Sequence, residues 1–168
     1  MTKTRIPELL APAGSFDALR AAVYGGADAV YVGSTLFNAR MNAKNFTREE
    51  IASAVELCHE RGVRLYVTLN TAMMDKQYKD AMLLIEYLYK TGVDALIVSD
   101  LGLAREIKRY FSDFPIHAST QASGHSSSAA EFLKDIGFDR MVIARECSLE
   151  NIKRAVDPFS TLTRTFPC

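Results

Sequence analysis

The sequence predicts an α/β fold, in which about six parallel strands alternate with helices in a steady repeat. Three observations predict it. The junctions GADAVYVGS, GVRLYVTLN, GVDALIVSD and GFDRMVIAR each carry a helix-closing glycine, a turn and an apolar strand ending in small or polar residues. Strands that are apolar on both faces belong to parallel sheets covered by helices. Between them lie segments with apolar residues at helical spacing, long enough to act as the crossovers that parallel strands require.

The first unit spans Glu8 to Ser34. Glu8–Ala11 is a short apolar strand, and Pro12-Ala13-Gly14 is expected to stop it. Ser15 is placed to cap a helix by accepting a free amide of its first turn. Phe16, Leu19, Ala22 and Val23 then share one face, and Gly25-Gly26 closes the helix before a strand at Ala29–Val32. A polar stretch, TLFNARMNAKNF, leads to Thr47-Arg48-Glu49-Glu50, a capping box with threonine at the cap and glutamate three residues on. That second helix runs to about Arg61, and Arg64–Leu69 is the next strand.

Ala81, Leu84, Ile85 and Leu88 mark the third helix, closed by Gly92, and Ala95–Val98 is the fourth strand. Leu103, Ile107, Tyr110 and Phe111 mark a fourth helix that Pro115 cannot continue. Ile116–Ser119 follows as a strand. Ala129, Phe132, Leu133 and Ile136 give the fifth helix, Met141–Ala144 the sixth strand, and Ser148 caps a last helix ending before Pro158. Residues 1–156 therefore form one partial barrel domain, with 157–168 as an irregular tail.

Composition narrows the function classes. Of 168 residues, 48% are hydrophobic and 24% charged, as in an ordinary soluble domain. Lys+Arg and Asp+Glu balance at 20 each, so no global charge draws the chain to nucleic acid or membrane. No apolar run approaches the roughly 20 residues of a membrane span. The start, MTKTRIPELL, has no signal-type apolar segment, and a cytoplasmic location is expected. Cys58, Cys147 and Cys168 are scattered, which is neither a disulfide framework nor a C-x-x-C metal site. Cys58 shares an apolar helix face with Ile51, Ala54 and Val55. Cys147 follows a strand end and reads as a loop cysteine.

Two architectures fit the repeat, an eight-stranded β/α barrel and an open doubly wound sheet. Pro12-Ala13-Gly14-Ser15 is not the G-x-G-x-x-G of a dinucleotide fold. Even repetition favours the barrel, although six strands are two short of closure. The expectation is an incomplete TIM-barrel-like β/α repeat.

In such folds the active site lies at the carboxyl ends of the strands. That rule selects Asn38 and Arg40 after the second strand, Asn70 after the third and Asp100 after the fourth. It adds Gln121 after the fifth, and Arg145 and Glu146 after the sixth. His117 lies within the fifth strand, facing either the centre or the helices. Glu146 and His117 are the catalytic candidates; Asn38, Arg40, Asn70, Asp100, Gln121 and Arg145 are the substrate-binding ones. Each has a plainer reading. Asp100 suits a helix cap, Arg145-Glu146 a local ion pair or a cap, and His117 an interior histidine. The serines around His125 lack the glycines of a nucleophile elbow and read as a helix-start loop. His59-Glu60 has no second histidine four residues after His59, so the zinc-protease motif is missing.

The segments ELLAPAGSFDALRAAVYGGADAVYVGS, NFT, RLYVTLNT, VDALIVSDLG, PIHASTQAS and VIARECSLENI resemble, in order and spacing, the N-terminal half of peptidase family U32, the collagenase-like proteases. The resemblance runs from about Glu8 to Ala155. It implies a TIM-barrel-like catalytic domain and one of two activities. One is proteolysis. The other is [4Fe–4S]-dependent, oxygen-independent hydroxylation of tRNA or rRNA bases or of a quinone precursor.

The sequence departs from the family where cluster cysteines begin: after Val156 it reads DPFSTLTRTFPC, without H-G-A-x-C. Such a cluster usually needs four thiolates, so no cofactor is expected in this chain and a [4Fe–4S] cluster belongs to full-length relatives. Gly124-His125 also departs from the family's polar run. The chain is expected to act on peptide or on RNA, or, as a third reading, to serve as a non-catalytic binding or assembly module. Two open sheet edges would invite self-association or a partner that completes the barrel.

Overall fold

The computed structural model describes residues 7–39 and 45–156. The elements alternate as β1 (Leu10–Ala13), α1 (Phe16–Tyr24), β2 (Ala29–Gly33), α2 (Arg48–His59), β3 (Arg64–Leu69) and α3 (Tyr78–Thr91). They continue as β4 (Ala95–Val98), α4 (Leu101–Tyr110), β5 (Ile116–Ala118), α5 (Ser127–Ile136), β6 (Arg140–Met141) and α6 (Leu149–Val156). The strands form one parallel sheet in chain order, β1 to β6. The expected tail, 157–168, lies outside the described residues, as does Arg40.

Helix starts follow local chemistry. Ser15 Oγ accepts from the Ala18 N–H at 3.2 Å, and Thr47 with Glu50 completes a reciprocal capping box. Ser126 caps α5, and Ser148 Oγ accepts from Asn151 N–H at 3.2 Å. Gly92 and Gly137 end α3 and α5 at φ 88° and 112°, a left-handed conformation that glycine adopts without a Cβ clash.

Three expectations shift. Pro12 does not stop β1, which begins at Leu10 and runs through it to Ala13. Within this sheet β1 is an edge strand, where a residue without an N–H is tolerated. β6 is shorter than Met141–Ala144, although Val142 N–H still reaches Ala118 O at 2.9 Å. Tyr110 and Phe132 are 63% and 55% exposed, and Ile107 and Leu133 are the residues buried beside them. Helical spacing finds a face but does not set its width.

A second regularity recurs at every other unit. Asp28, Asp94 and Asp139 each precede an even-numbered strand. Their carboxylates accept the N–H of Leu9, Leu65 and Ile116 at 2.7, 2.7 and 2.9 Å. The same aspartates donate their own N–H to the carbonyls of those three residues. Each clasp locks the start of an odd strand to the turn entering the next even one. Two clasps also engage a cation-forming side chain, His59 on Asp94 and Lys108 on Asp139, each at 2.9 Å.

Alternate strand residues face opposite ways. Val30, Val32, Leu65, Val67, Leu96 and Ile116 pack outward in the large core beneath the helices. Leu10, Ala29, Tyr66, Ala95 and Ile97, with Tyr31 against them, form a smaller cluster on the inner face. Below it Glu8 accepts hydrogen bonds from Tyr66 Oη at 3.0 Å and from Arg140 Nη1 at 2.8 Å, and it pairs with Arg64. This contact joins the lead-in to β1 with β6. In a flat sheet, five intervals of about 4.8 Å would hold those strands about 24 Å apart, far beyond the reach of an arginine and a glutamate. The sheet is therefore curled into a half-barrel, with Glu8 on its floor.

Two consequences can be measured. Glu8 and Arg140 have side chains only 10% and 12% exposed, so Glu8→Ala strands a buried guanidinium. Urea unfolding should show a loss of about 3–5 kcal/mol, whereas Glu86→Ala, in an exposed i,i+4 pair with Lys90, should cost under about 1 kcal/mol. The second concerns Asp100, the cap of α4. It accepts from Leu103 N–H at 2.8 Å and Tyr78 Oη at 2.9 Å through Oδ1, and from Met73 N–H at 3.1 Å through Oδ2. Burial alone would raise its pKa, but these hydrogen bonds outweigh it and hold the carboxyl below its ordinary value. A depressed folded-state pKa gives stability that is present above the unfolded value of about 3.9 and is lost as pH falls through the folded one. Acid titration of the unfolding free energy should therefore be shallower below about pH 4 in Asp100→Asn than in the parent chain.

Candidate functional site

The carboxyl ends of the strands form one rim of the curled sheet, and the described rim candidates all sit on it. The connection after β2 is built over a glycine. A Cβ at Gly33 would fall 1.9 Å from Asn38 Nδ2, so only glycine leaves room for that amide. Asn38, 5% exposed, donates to Asn45 Oδ1 at 2.6 Å. Asn70, following β3, accepts the Ala39 N–H at 3.1 Å and so ties the same connection to the next strand. These amides organise the rim.

Asp100 also sits on the rim, with both oxygens engaged as described. Its bond to Tyr78 contributes, after burial, to pushing that phenol up to about 12. Gln121 is exposed within a single 3₁₀ turn, Thr120–Ala122, whose preceding Ser119 accepts the Gln121 N–H at 3.3 Å. Arg145 and Glu146 are exposed in a turn closed by Cys147 N–H on Ala144 O at 3.2 Å. They form no ion pair with each other among the described residues, and Ser148 caps α6 instead of either.

His117 faces the centre. In parallel register it lies beside Ile97 and Arg140. Its ring meets that of Tyr66 nearly perpendicularly, at 84° with centroids 4.8 Å apart. Burial, and after it the charge of Arg140, pushes the imidazole down to about 3. It is therefore neutral at any physiological pH. No hydrogen bond or ion pair joins it to Glu146 among the described residues.

Several residues of the interior escaped sequence reasoning. Glu8, Tyr66 and Arg140 form the floor, with the Arg140 guanidinium 6.0 Å from the Tyr66 ring centroid. Thr68, two residues on from Tyr66, donates its hydroxyl to Val32 O at 3.2 Å. The period-two alternation of β3 was the available signal for Tyr66 and Thr68. Cys147 lies with its Sγ 3.7 Å from His125 Nδ1, a meeting of two loops that no local pattern announces.

The two described cysteines, Cys58 and Cys147, lie apart. Cys58 is buried beneath the helices, where burial and then the charge of Asp94 push its thiol up to about 11. Cys147 sits at the rim, and Cys168 lies outside the described residues. Among the described residues no group of three or more His, Cys, Asp or Glu side chains could hold a metal ion. Nor is any described helix long and apolar enough to cross a membrane.

The sequence pattern of peptidase family U32 matches residues 14–161. The chain is 43% identical, over 87% of its length, to the 23S rRNA 5-hydroxycytidine C2501 synthase of Escherichia coli, and covers 22% of that protein. It is 38% identical over 92% of its length to tRNA hydroxylation protein P1 of Bacillus subtilis, covering 37% of it. A collagenase of Porphyromonas gingivalis is 33% identical over 87% of this chain, which covers 35% of that enzyme. The chain thus spans well under half the length of these relatives. A solved U32 peptidase superposes with a TM-score of 0.77 over 96% of this chain and 69% of the other, at 16% identity, a likeness of fold. By sequence match along most of its length and by its curled β/α sheet, this chain belongs to peptidase family U32.

Proposed function

We propose that the chain binds the substrate in RNA-base hydroxylation, supplying the substrate-binding half of a barrel. One observation carries this reading over proteolysis: the interior histidine is buried edge-on against Tyr66 with no bond to Glu146, and burial pushes its pKa down. A hydrolytic general base works best with a pKa near the operating pH, and His117 lies far below it. Glu146, the other catalytic candidate, is exposed and unconnected to it. What the rim and interior do offer is hydrogen-bonding groups, Asn70, Gln121 and Arg145 above and the His117 imidazole within, while Asn38 is engaged with Asn45 and organises the rim. Unstacked bases are read by such groups on their exposed edges. The relatives named for rRNA and tRNA hydroxylation, at 43% and 38% identity, support the same reading.

The role proposed is binding and orientation. No redox step is assigned to the described residues, which bring together no group of three or more His, Cys, Asp or Glu side chains able to hold a metal. An RNA substrate suits a cytoplasmic location. The open edges at β1 and β6 suit a second chain, or another copy, that continues the sheet.

Deleting the gene and digesting total tRNA and rRNA for nucleoside mass spectrometry tests the proposal. Loss of a hydroxylated pyrimidine, restored by the intact gene but not by a copy carrying Asn70→Ala together with Arg145→Ala, is the expected result. Unchanged nucleosides, with gelatin-degrading activity that disappears from the deletion strain, would overturn it in favour of proteolysis.

A further inference from the structure

Helices α3 and α4 leave between them an open groove of about 640 Å³ on the solvent side of the helix layer. Its apolar lining includes Met82 and Leu83 of α3, with Tyr110 and Phe111 where α4 ends. Leu83 is 50% exposed and Tyr110 63%, and neither belongs to the continuous core beneath the helices. Apolar surface of this kind gains free energy when it is covered.

The charges on the groove are mixed and ordered. Lys79 and Glu86 both line it, seven residues or about 10 Å apart along α3, with Met82 and Leu83 between them. Spacings of three, four and seven residues set these four side chains on one face. Glu86 and, on α4, Glu106 have cations beside them, Lys90 at 2.6 Å and Arg109 at 3.9 Å. Lys79 forms no ion pair among the described residues. A wholly basic partner would therefore meet Lys79, Lys90 and Arg109, and a wholly acidic one Glu86 and Glu106. The order cation, apolar, apolar, anion is complemented by its own reverse.

We propose that this face docks a second copy of the chain, α3 lying antiparallel to α3 about a two-fold axis between Met82 and Leu83. That axis sets Lys79 opposite the partner's Glu86 and Met82 opposite the partner's Leu83. Each contact then recurs with the roles exchanged, as a self-complementary two-fold interface requires. Tyr110 flanks the seam from α4. With Lys+Arg and Asp+Glu both at 20, two copies carry no net charge to hold them apart. The seam lies on the helix layer, away from the sheet edges at β1 and β6, and it stands independently of the RNA reading.

Sedimentation equilibrium of the full chain tests this, and a concentration-dependent equilibrium of monomer and dimer is expected. Leu83→Lys should leave only monomer over the concentrations at which the parent chain dimerises. Because Leu83 is exposed, circular dichroism and the urea midpoint should stay those of the parent. Lys79→Glu or Glu86→Lys alone should weaken dimerisation about tenfold, since either one sets like charges together at both ends of the seam. The two exchanges in one chain should recover it, because opposite charges meet again. A carbodiimide, applied to mixed ¹⁴N- and ¹⁵N-labelled chains, should join Lys79 of one copy to Glu86 of the other.

A chain that stays monomeric up to millimolar concentration overturns the proposal. So does a dimer that the double exchange fails to recover, which would place the seam in another register. A dimer that survives Leu83→Lys and slows amide exchange at β1 or β6 is paired through its sheet edges, and it overturns the proposal as well.

Discussion

The carboxylate of Glu8 sets the shape on which everything else depends. It gathers Arg64, Tyr66 and Arg140 from β3 and β6 onto the segment leading into β1. Sheets twist of their own accord, but twist alone does not say how tightly six strands close. An ion cluster reaching from the first strand to the last does, because its geometry is satisfied at one curvature only. The desolvation of these charges makes the cluster a poor source of net stability. Its contribution is specificity of shape: it chooses the curl, and the curl brings the strand ends to one rim.

Stability has a different source. The outward core is large and continuous, running from Leu19 and Val23 under α1 to Leu133 and Phe138 near α5. The inward cluster holds only Leu10, Ala29, Tyr66, Ala95 and Ile97, with Tyr31 at its margin. Since apolar burial scales with area, the helix-covered face carries the fold and the inner face is free to carry polar groups such as Glu8 and Arg140. The aspartate clasps divide the labour in the same way. Asp28, Asp94 and Asp139 fix the strand starts, leaving the opposite ends to be specified by Asn38, Asn70 and Asp100.

Much of this was legible in the sequence because it is local. Ser15, Thr47, Asp100 and Ser148 cap helices through atoms three residues away, so their spacing alone reveals them. The strand runs are visible for the same reason, as is the rim, since chain order places the end of each strand. What sequence could not supply was the pairing of distant groups. Glu8 and Arg140 are 132 residues apart, and nothing near either announces the other. His117 shows the limit most clearly. Its position in a strand was evident, its direction was not, and its direction decides whether it joins the helix-covered core or the inner face beside Tyr66. The exposure of Tyr110 and Phe132 was missed because a helical stripe has a centre but no marked boundary.

The edges of the sheet bear on how such a half-barrel persists. Exposed strand edges are templates for unwanted pairing, yet both are blunted here. β1 carries Pro12, which has no N–H to offer, and β6 is only two residues long. The edges therefore present few free backbone groups. If another segment or chain meets this sheet, edge hydrogen bonds supply little of its specificity. A curled sheet held at its floor by Glu8, Arg64, Tyr66 and Arg140, and covered outside by helices, keeps the inner-face side chains in place.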